Sequence, residues 1–281
     1  MKNSIENVLK TAIIRLDAEN IDSPRLDAEI LLAHVINCRR LTLYVDSEKI
    51  LPLQSVFRFN ELINRRIEGF PVAYIIGNKD FMGLNFAVNQ NVLIPRPDTE
   101  ILTEFVGEYL RVLNTDVNFL DLGTGSGAIA ISILKFVKNA RATAVDISED
   151  ALNVAKFNSV KFHVEDRINF LLGDLFSPVT GKFDAIVSNP PYIPTAELET
   201  LQKEVKTEPQ IALDGGKDGL NFYRRIISDA PRFLSDGGLL AVEIGINQAS
   251  AVKNLFEAAK FIDIEVLKDL AGIERVVFGR K

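Results

Sequence analysis

The chain has 281 residues, of which 47% are hydrophobic and 25% are charged, a composition typical of a globular protein. Its net charge is −6, and residues 1–75 contain ten basic and ten acidic side chains, so the acidic surplus falls entirely on the rest of the chain. A domain that grips duplex phosphates usually carries a basic surface, so direct nucleic-acid binding is not expected.

The counts of particular residue types exclude further classes of protein. No stretch reaches the roughly 18 consecutive apolar residues that span a membrane, and charges interrupt the N-terminal segment, so neither a membrane segment nor a signal peptide is expected. The single cysteine, Cys38, excludes an internal disulfide. The two histidines, His34 and His163, lie far apart in the sequence, so no metal site is predicted. We therefore expect a cytoplasmic protein that needs no metal.

Residues 1–76 are predicted to form a small helical bundle. In SPRLDAEILLAHVIN, Ser23 and Pro24 mark the start of a helix, because serine caps helix N-termini and proline fits the first turn. A second helix is predicted to begin near Pro52 and to end at Gly69. Helices this short need partners to be stable, so they should pack together. The residues expected on the apolar face of the first of these helices are Leu26, Ile30, Leu31 and His34.

A β-hairpin linker is predicted over residues 77–96, where the pattern changes. Apolar residues alternate in DFMGLNFAV, with Phe81, Leu84 and Phe86 placed around Gly83, as in two short strands joined by a tight turn. This hairpin would join the helical bundle to the domain that follows it.

Residues 97–281 alternate between helix and strand patterns. Seven strands are predicted, in the segments VNFLDLG, RATAVDI, INFLLGD, FDAIVSN, GLLAVEIG, FIDIEVLKD and IERVVFG. Helices are expected near Pro97, Gly127, Ser148, Gly219 and Asn247. This βαβ rhythm favours an α/β fold, a doubly wound and mostly parallel seven-stranded sheet covered by helices on both faces.

A glycine-rich loop follows the first strand of this sheet, in FLDLGTGSGAIAISIL. Gly123, Gly125 and Gly127 allow a tight turn and a close approach to a ligand, and the next helix offers free N–H groups at its start. Asp146 ends the next strand, where a carboxylate can accept hydrogen bonds from ribose hydroxyls. Asp174 ends the third strand, within reach of an adenine amino group. These strand ends together predict an adenosine site.

Adenosine cofactors differ in the loop that they need. A dinucleotide site usually has the spacing GxGxxG and a P-loop needs GK[ST], whereas here Gly125 and Gly127 are separated by one residue and Ala128 follows. Asp121, just before the loop, is suited to hold a cationic amine. These features resemble the class I S-adenosylmethionine (SAM) methyltransferases over residues 97–281. The resemblance implies SAM as the cofactor.

The segment NPPY follows the fourth strand, at the carboxyl edge of the predicted sheet. Asn189 offers a side-chain oxygen and Pro190 a backbone carbonyl at a fixed φ, so together they can accept both hydrogens of a planar –NH₂ group. Such pairing localises the nitrogen lone pair and directs it at an electrophilic methyl group, while Tyr192 can stack on the flat group. The segment, which includes Pro191, therefore predicts methyl transfer to an amide or to a nucleobase amine.

Several stretches resemble the HemK family of protein-(glutamine-N5) methyltransferases, which act on peptide chain release factors. They are, in chain order, LIPRPDTE, DLGTGSGAIA, NPPYIP, EPQIALDGGKDGLNFYR and DLAGIERVV. The resemblance covers both predicted domains, and it implies a substrate glutamine in the Gly-Gly-Gln loop of class-one release factors. We expect residues 1–76 to recognise that protein substrate and residues 97–281 to carry out the methyl transfer.

Two groups of residues are assigned to the reactants with the help of this resemblance. Those implied to hold the glutamine amide are Asn189, Pro190, Pro191 and Tyr192. Those expected to bind SAM are Asp121, Gly123, Thr124, Gly125, Ser126, Gly127, Asp146, Asp174, Leu175 and Asn189. Leu175 stands where some family members have an aromatic residue beside the adenine.

Four residues in or near these stretches have no settled role. Arg96, Thr99 and Glu100 fit either the mouth of the cofactor site or the start of a helix. Glu243 ends a predicted buried strand near the site, where a structural carboxylate is favoured over a catalytic one. No general base is required, because the substrate nitrogen becomes acidic as it gains the methyl group and water can remove its proton.

Three other functions remain open from the sequence. A glutamine methyltransferase of a ribosomal protein would share the fold and the motif. A nucleobase amine methyltransferase can also use an NPPY segment, but it needs a basic and aromatic region for its flipped base, which the charge-neutral N-terminal region does not supply. A SAM-binding regulator without turnover would have no use for two amide-hydrogen acceptors. We expect a monomer, since we find no exposed apolar stripe.

Overall fold

The computed structural model describes residues 3–113 and 115–281. Packing divides the chain into two compact units. The first, the helical unit, comprises the residues up to Gly77 together with Gln202–Thr207, and the second, the sheet unit, comprises Asn78–Leu201 and Glu208–Lys281. Within the described ranges, no helix has the length and apolar character to cross a membrane.

The described residues of the helical unit form five helices around one apolar core. Their bounds are α1 Ile5–Ala18, α2 Pro24–Val35, α3 Arg40–Val45, α4 Leu53–Ile67 and α5 Val72–Ile76. The side chain of Ser4 caps α1 by accepting a hydrogen bond from the Asn7 N–H at 3.4 Å. Leu16, Leu31 and Phe59 are buried together in the core, which holds the short helices in place.

Helix α2 starts where it was predicted, but the apolar face predicted through Leu26 and His34 was wrong. Both of these side chains are exposed, whereas Asp27 and Glu29 are buried. The Asp27 carboxylate forms an ion pair with Arg66 at 2.7 Å, and buried charges are tolerated when they are paired in this way. The ion pair turns a face with carboxylates toward the core, which hydrophobic periodicity alone does not anticipate.

A β-hairpin opens the sheet unit. Strands β1 (Asn78–Phe81) and β2 (Leu84–Ala87) are antiparallel and are joined by a two-residue turn. Met82 and Gly83 both have positive φ angles, 50° and 69°, as a type I′ turn requires. Phe86 is fully buried in the core of the sheet unit, so the hairpin packs as part of that unit.

The described residues of the sheet unit also form a seven-stranded sheet. Its strands are β3 Val117–Leu122, β4 Ala140–Asp146, β5 Ile168–Leu172, β6 Phe183–Ser188, β7 Leu234–Glu243, β8 Ile262–Lys268 and β9 Glu274–Arg280. Across the sheet their order is β5-β4-β3-β6-β7-β9-β8. The first five strands in this order, β5, β4, β3, β6 and β7, run parallel to one another. Strand β9 runs antiparallel to both β7 and β8. The predicted doubly wound, mostly parallel sheet is therefore confirmed.

Helices cover both faces of this sheet. They are α6 Asp98–Val112, α7 Ala128–Phe136, α8 Glu149–Lys161, α9 Asn221–Asp229 and α10 Ala249–Ala258. Helices α6 and α7 pack on the face to which Phe119 points, and α9 and α10 pack on the face to which Leu120 points. Side chains alternate along a strand, so covering both faces buries most residues of the central strands β3 and β6.

The order of the strands determines where a ligand can bind. Strand β3 lies between β4 and β6, and the chain winds from β3 outward to β5 before it crosses back to β6. This reversal creates a topological switch point at the carboxyl ends of β3 and β6. Open α/β sheets bind their ligands in the crevice at such a point.

The segment Gln202–Thr207 lies between β6 and α9 in the sequence but groups with the helical unit. Glu204 forms an ion pair with Arg66 at 2.5 Å, and the ammonium group of Lys203 donates to the Ile67 carbonyl at 3.0 Å. From the sequence this segment is predicted to belong to the methyltransferase domain, because nothing in its composition indicates that it packs with the helical unit.

Candidate active site

The loop of residues 123–127 after β3 needs glycine for two separate reasons. Gly123 and Gly125 have positive φ angles of 73° and 56°, which side chains rarely adopt. A Cβ added at either position would meet no atom within 4 Å, so open space lies next to both glycines, and Gly123 itself lines the cavity. The N–H groups of Gly123 and Thr124 both donate to the Val145 carbonyl, at 2.9 and 3.0 Å, which ties the loop to the end of β4.

Gly127 has a packing role. It precedes α7 with a φ of 79°, and a Cβ there would lie 2.7 Å from Ile131 Cδ1 and 3.2 Å from Ala155 Cβ. The missing side chain therefore lets α7 begin close against α8. Ser126, the residue before it, is buried, and its carbonyl accepts a hydrogen bond from the Asn158 side chain at 2.9 Å.

Asn158 on α8 connects this loop to the hairpin. Its side chain is fully buried, and its oxygen accepts from the Ala87 N–H at 2.8 Å while its amide nitrogen donates to the Ala87 carbonyl at 3.0 Å. With the bond to Ser126, one asparagine thus supports both the strand β2 and the glycine loop. A lone asparagine in a helical pattern gives no sequence signal for such a role.

Asp121 lies beneath the loop and is inaccessible to solvent. The Thr124 hydroxyl donates to its Oδ2 at 2.7 Å, while its Oδ1 has no hydrogen-bond partner in the described part of the chain. Burial raises the pKa of Asp121 to about 7, although the Thr124 hydrogen bond acts to lower it. A buried carboxylate with a vacant oxygen can accept one further donor or pair with a positive charge.

Asp146 ends β4 at the rim of the cavity. Its two oxygens accept hydrogen bonds from the N–H groups of Gly125 at 2.8 Å and Ser148 at 2.9 Å. Burial raises the pKa of Asp146, and these backbone hydrogen bonds lower it. Each carboxylate oxygen keeps lone pairs for a second donor, so the group can still bind hydroxyls.

Asp174 and Leu175 follow β5. The Asp174 carboxylate forms an ion pair with Arg225 on α9 at 2.6 Å, a partner that the sequence analysis did not foresee. Leu175 has a positive φ of 49°. Both residues line the cavity, on the wall that α9 completes with Phe222 and Arg225.

The NPPY segment starts directly after β6. Asn189, Pro190 and Pro191 line the cavity. The Asn189 amide nitrogen donates to the Thr99 hydroxyl on α6 at 3.1 Å. Among the described residues, no group donates a hydrogen bond to Asn189 Oδ1 or to the Pro190 carbonyl. Two acceptors of one segment are therefore free for a ligand.

Tyr192 lies beside the cavity and is held through its backbone. Its carbonyl accepts a hydrogen bond from the Gln248 side chain at 3.0 Å. A Cβ added at Gly215 would approach the Tyr192 Cα to 2.7 Å, and one at Gly219 would approach its carbonyl oxygen to 2.3 Å. Burial raises the pKa of Tyr192 to about 12, so the phenol stays neutral. The Gly-Gly-Lys-Asp-Gly stretch thus packs backbone against backbone on the NPPY segment.

These groups meet around a cavity of about 200 Å³ at the carboxyl edge of the sheet. The predicted site residues that line it are Gly123, Asp146, Asp174, Leu175, Asn189, Pro190 and Pro191. The predicted site residues that do not line it are Asp121, Thr124, Gly125, Ser126, Gly127 and Tyr192. Lining residues that the sequence analysis did not assign include Leu93, Ile211, Ala212, Phe222 and Arg225. Several of these lie in the quoted stretch EPQIALDGGKDGLNFYR, which marked the region without giving roles.

Arg96 and Glu100 have partners away from the cavity lining. Arg96 forms an ion pair with Glu208, whose other oxygen accepts from the Ile94 N–H at 3.0 Å. Glu100 accepts a hydrogen bond from the Met82 N–H at 2.6 Å and so supports the hairpin turn. Their contacts are those of residues that hold the backbone in place.

Two protein families match the chain, the PrmC N-terminal domain over residues 7–77 and the methyltransferase small domain over residues 99–217. The chain is 43% identical over 274 residues to a release factor glutamine methyltransferase of Moorella thermoacetica, covering 97% of this chain and 96% of that protein. The chain belongs to the release factor glutamine methyltransferase family. A second member, from Clostridium acetobutylicum, is 43% identical over 279 residues and 98% of each chain.

The fold of the sheet unit is also found among solved structures. A methyltransferase from Pyrococcus furiosus matches with a TM-score of 0.55 and 20% identity, covering 71% of this chain and 89% of that one. A likeness at this identity supports the class I methyltransferase fold alone. The family resemblance predicted from the sequence motifs is confirmed by the relatives.

The pKa of Asp121 leads to a testable pH dependence of stability. A free aspartate titrates near pH 4, and burial raises the pKa of Asp121 to about 7 in the folded chain. The folded state therefore binds this proton more tightly, which stabilises it below about pH 4 and is lost as the pH rises through about 7. Asp121→Asn cannot ionise, so its melting temperature relative to wild type should increase between these two pH values.

Thermal unfolding of both proteins at several pH values measures this difference. The exposed Asp116→Asn is the matched control and should show no such trend. A constant difference between Asp121→Asn and wild type across the range would contradict the assignment of the titration to Asp121.

Proposed function

We propose that the chain transfers a methyl group from SAM to the side-chain amide nitrogen of the glutamine in the Gly-Gly-Gln loop of class-one peptide chain release factors. The observation that carries this proposal is the pair of free acceptors, Asn189 Oδ1 and the Pro190 carbonyl, at the edge of the cavity. Membership of the release factor glutamine methyltransferase family supports the same acceptor.

The residues around the cavity fit SAM. The open space beside Gly123, which lines the cavity, leaves room for a ligand against the loop backbone. We assign the Asp146 carboxylate to the ribose hydroxyls, since it lines the cavity and retains lone pairs. When bound, SAM supplies a methyl group on a positively charged sulfonium, which makes that methyl electrophilic.

The remaining cofactor contacts are assigned by the same fit. Asp121 supplies negative charge beneath the loop, and a cationic amine would give its vacant Oδ1 a partner. Leu175 and Phe222 supply apolar walls for the adenine. Asp174 uses Oδ2 for Arg225, which leaves Oδ1 to accept from the adenine amino group.

The chemistry that this chain adds follows from the NPPY segment. An amide nitrogen is a weak nucleophile, because its lone pair is delocalised into the carbonyl group. Asn189 Oδ1 and the Pro190 carbonyl each accept one hydrogen of the substrate –NH₂, which orients the nitrogen and favours a localised lone pair. Tyr192 packs against the flat amide and keeps it in that plane. The proton displaced after transfer leaves to water, since the methylated nitrogen is acidic.

We assign the recognition of the release factor to the helical unit. Its helix α3 exposes apolar side chains on one face: Leu41 is 73% exposed, Tyr44 55% and Val45 77%. Exposed apolar groups of this kind mark protein interaction sites when they cluster. Residues 1–76 also carry no net charge surplus that would favour nucleic acid.

The first test concerns Asp146 and the cofactor. Asp146→Ala removes hydrogen bonds to a charged acceptor, so SAM binding should weaken by about 1.5–3 kcal/mol. Titration calorimetry with SAM measures this loss directly. Asp116→Ala, which changes an exposed aspartate just before β3, serves as the control. An unchanged dissociation constant for Asp146→Ala would remove this residue from the ribose site.

The second test concerns the acceptor amide and Asn189. With labelled SAM and release factor, the wild type should place one methyl group on the glutamine of the Gly-Gly-Gln loop, mapped by mass spectrometry. Asn189→Ala should lower single-turnover transfer at saturating SAM by about 10²–10³-fold, because it removes a polar group that acts on the reacting atom. Asn189→Asp keeps an oxygen in place and should retain more activity.

Two outcomes would contradict these expectations, one for the substrate and one for the role of Asn189. Methylation of a ribosomal protein or of DNA, with release factor left unmodified, would overturn the proposed substrate. If both variants lose activity equally, and only through weaker SAM binding, Asn189 is a cofactor ligand alone.

The third test concerns the exposed face of α3. The double variant Leu41→Ser, Val45→Ser should lower kcat/KM for intact release factor by about tenfold, since apolar contacts at an interface are lost. Transfer to a short Gly-Gly-Gln peptide should stay within about twofold, because peptide and cavity are unchanged. Ile14→Ser, on α1 and 61% exposed, is the matched control. Equal rates on the intact release factor for wild type and double variant would exclude this face.

A further inference from the structure

Two buried polar side chains next to Asn189 have no part in the proposed chemistry. Thr99, in the first turn of α6, is 4% exposed, and Glu243, at the end of β7, is 2% exposed. Neither residue lines the cavity. Burying a carboxyl group at the end of an apolar strand is costly unless hydrogen bonds compensate, so its presence needs a reason.

The three side chains form one polar cluster. The Asn189 amide nitrogen donates to the Thr99 hydroxyl at 3.1 Å. The Oε2 of the Glu243 carboxyl group has no hydrogen-bond partner among the described residues. Burial raises the pKa of Glu243 to about 7, and the charge of Asp98 adds to this, while the nearby side chains of Thr99 and Asn189 and the charge of Arg275 act to lower it.

The direction of donation within this cluster follows from the number of hydrogens that each group carries. A hydroxyl has one hydrogen, and a carboxylate has none and can only accept. Thr99 accepts from Asn189, so its single hydrogen remains for another acceptor, for which the nearby Glu243 carboxyl group is suited. The Asn189 –NH₂ group is thereby turned away from the cavity, and its oxygen is the end that remains for the cavity.

This orientation matters because an asparagine side chain can rotate by half a turn at almost no steric cost. In the rotated state Asn189 would present its –NH₂ group to a substrate –NH₂ group, and two donors would face each other. The segment itself contains nothing that forbids the rotation. The groups that forbid it lie on α6 and β7.

We propose that Glu243, acting through Thr99, is the positioning residue that holds Asn189 with its oxygen toward the substrate amide. This assignment rests on the proposed function, because it gives the cluster a use only when the acceptor is an –NH₂ group. It assigns a role to two residues that touch neither the cavity nor the reacting atoms.

The test compares variants of Thr99 that separate the hydroxyl from the side-chain volume. Thr99→Val keeps the shape and removes the hydroxyl, so single-turnover methyl transfer at saturating SAM and release factor should fall on the order of tenfold. Thr99→Ser keeps the hydroxyl and should retain most of the rate. Thr103→Val, one turn further along α6 and equally buried, is the matched control and should stay within about twofold of wild type.

Two further measurements distinguish positioning from general damage. The dissociation constant for SAM should change less than about twofold in Thr99→Val, because the hydroxyl touches no part of the cofactor cavity. In the Asn189→Ala background, Thr99→Val should have no further effect, since its action passes through Asn189. The single-turnover transfer rate of Glu243→Gln should lie between those of the wild type and Glu243→Ala, because the new amide oxygen can still accept from Thr99.

The outcomes separate this assignment from the proposed function. An active wild type with Thr99→Val equally fast, or a loss that persists in the Asn189→Ala background, overturns the positioning role alone. A wild type that transfers no methyl group to glutamine overturns the proposed function, and the positioning role with it.

Discussion

A side-chain amide can present either its oxygen or its –NH₂ group, and the function that we propose depends on Asn189 presenting the oxygen. Strand β6 brings Asn189 to the carboxyl edge of the sheet, beside the glycine loop that follows β3. We attribute the orientation of its amide to two residues on other elements: Thr99 lies on α6 and Glu243 on β7, the strand next to β6. Packing α6 against the sheet is therefore a condition for the proposed chemistry, because that packing holds the Thr99 hydroxyl against the amide.

A second set of contacts holds the backbone of the same segment. The Pro190 carbonyl can serve as an acceptor only if the chain on either side of it is fixed, and Tyr192 follows two residues later. Gly215 and Gly219 let their stretch of backbone lie directly on Tyr192, and the Gln248 side chain donates a hydrogen bond to the Tyr192 carbonyl. Side chains larger than glycine would push this support away. The surroundings of the segment are thus crowded, which fixes its backbone, and in the proposed chemistry this rigidity aligns two acceptors on one nitrogen.

Sequence patterns anticipate the parts of this protein that local chemistry determines. The strands, the glycine loop and the NPPY segment depend on short runs of residues, and each appears where its pattern predicts it. Contacts between residues distant in the sequence cannot be predicted in this way. Examples are the hydrogen bond from Asn158 to the glycine loop, the ion pair of Arg225 with Asp174, and the position of Thr99 and Glu243 next to the NPPY segment. The error on α2 has the same origin, because an ion pair from another helix decides which face is buried.

In the function that we propose, the NPPY segment accepts both hydrogens of a glutamine amide. A crystal structure of the chain with S-adenosylhomocysteine and a Gly-Gly-Gln peptide tests it most directly. We expect the glutamine side-chain nitrogen to lie within about 2.7–3.2 Å of both Asn189 Oδ1 and the Pro190 carbonyl oxygen. A glutamine nitrogen bound away from these two oxygens, or an Asn189 that turns its –NH₂ group to the substrate, would contradict it.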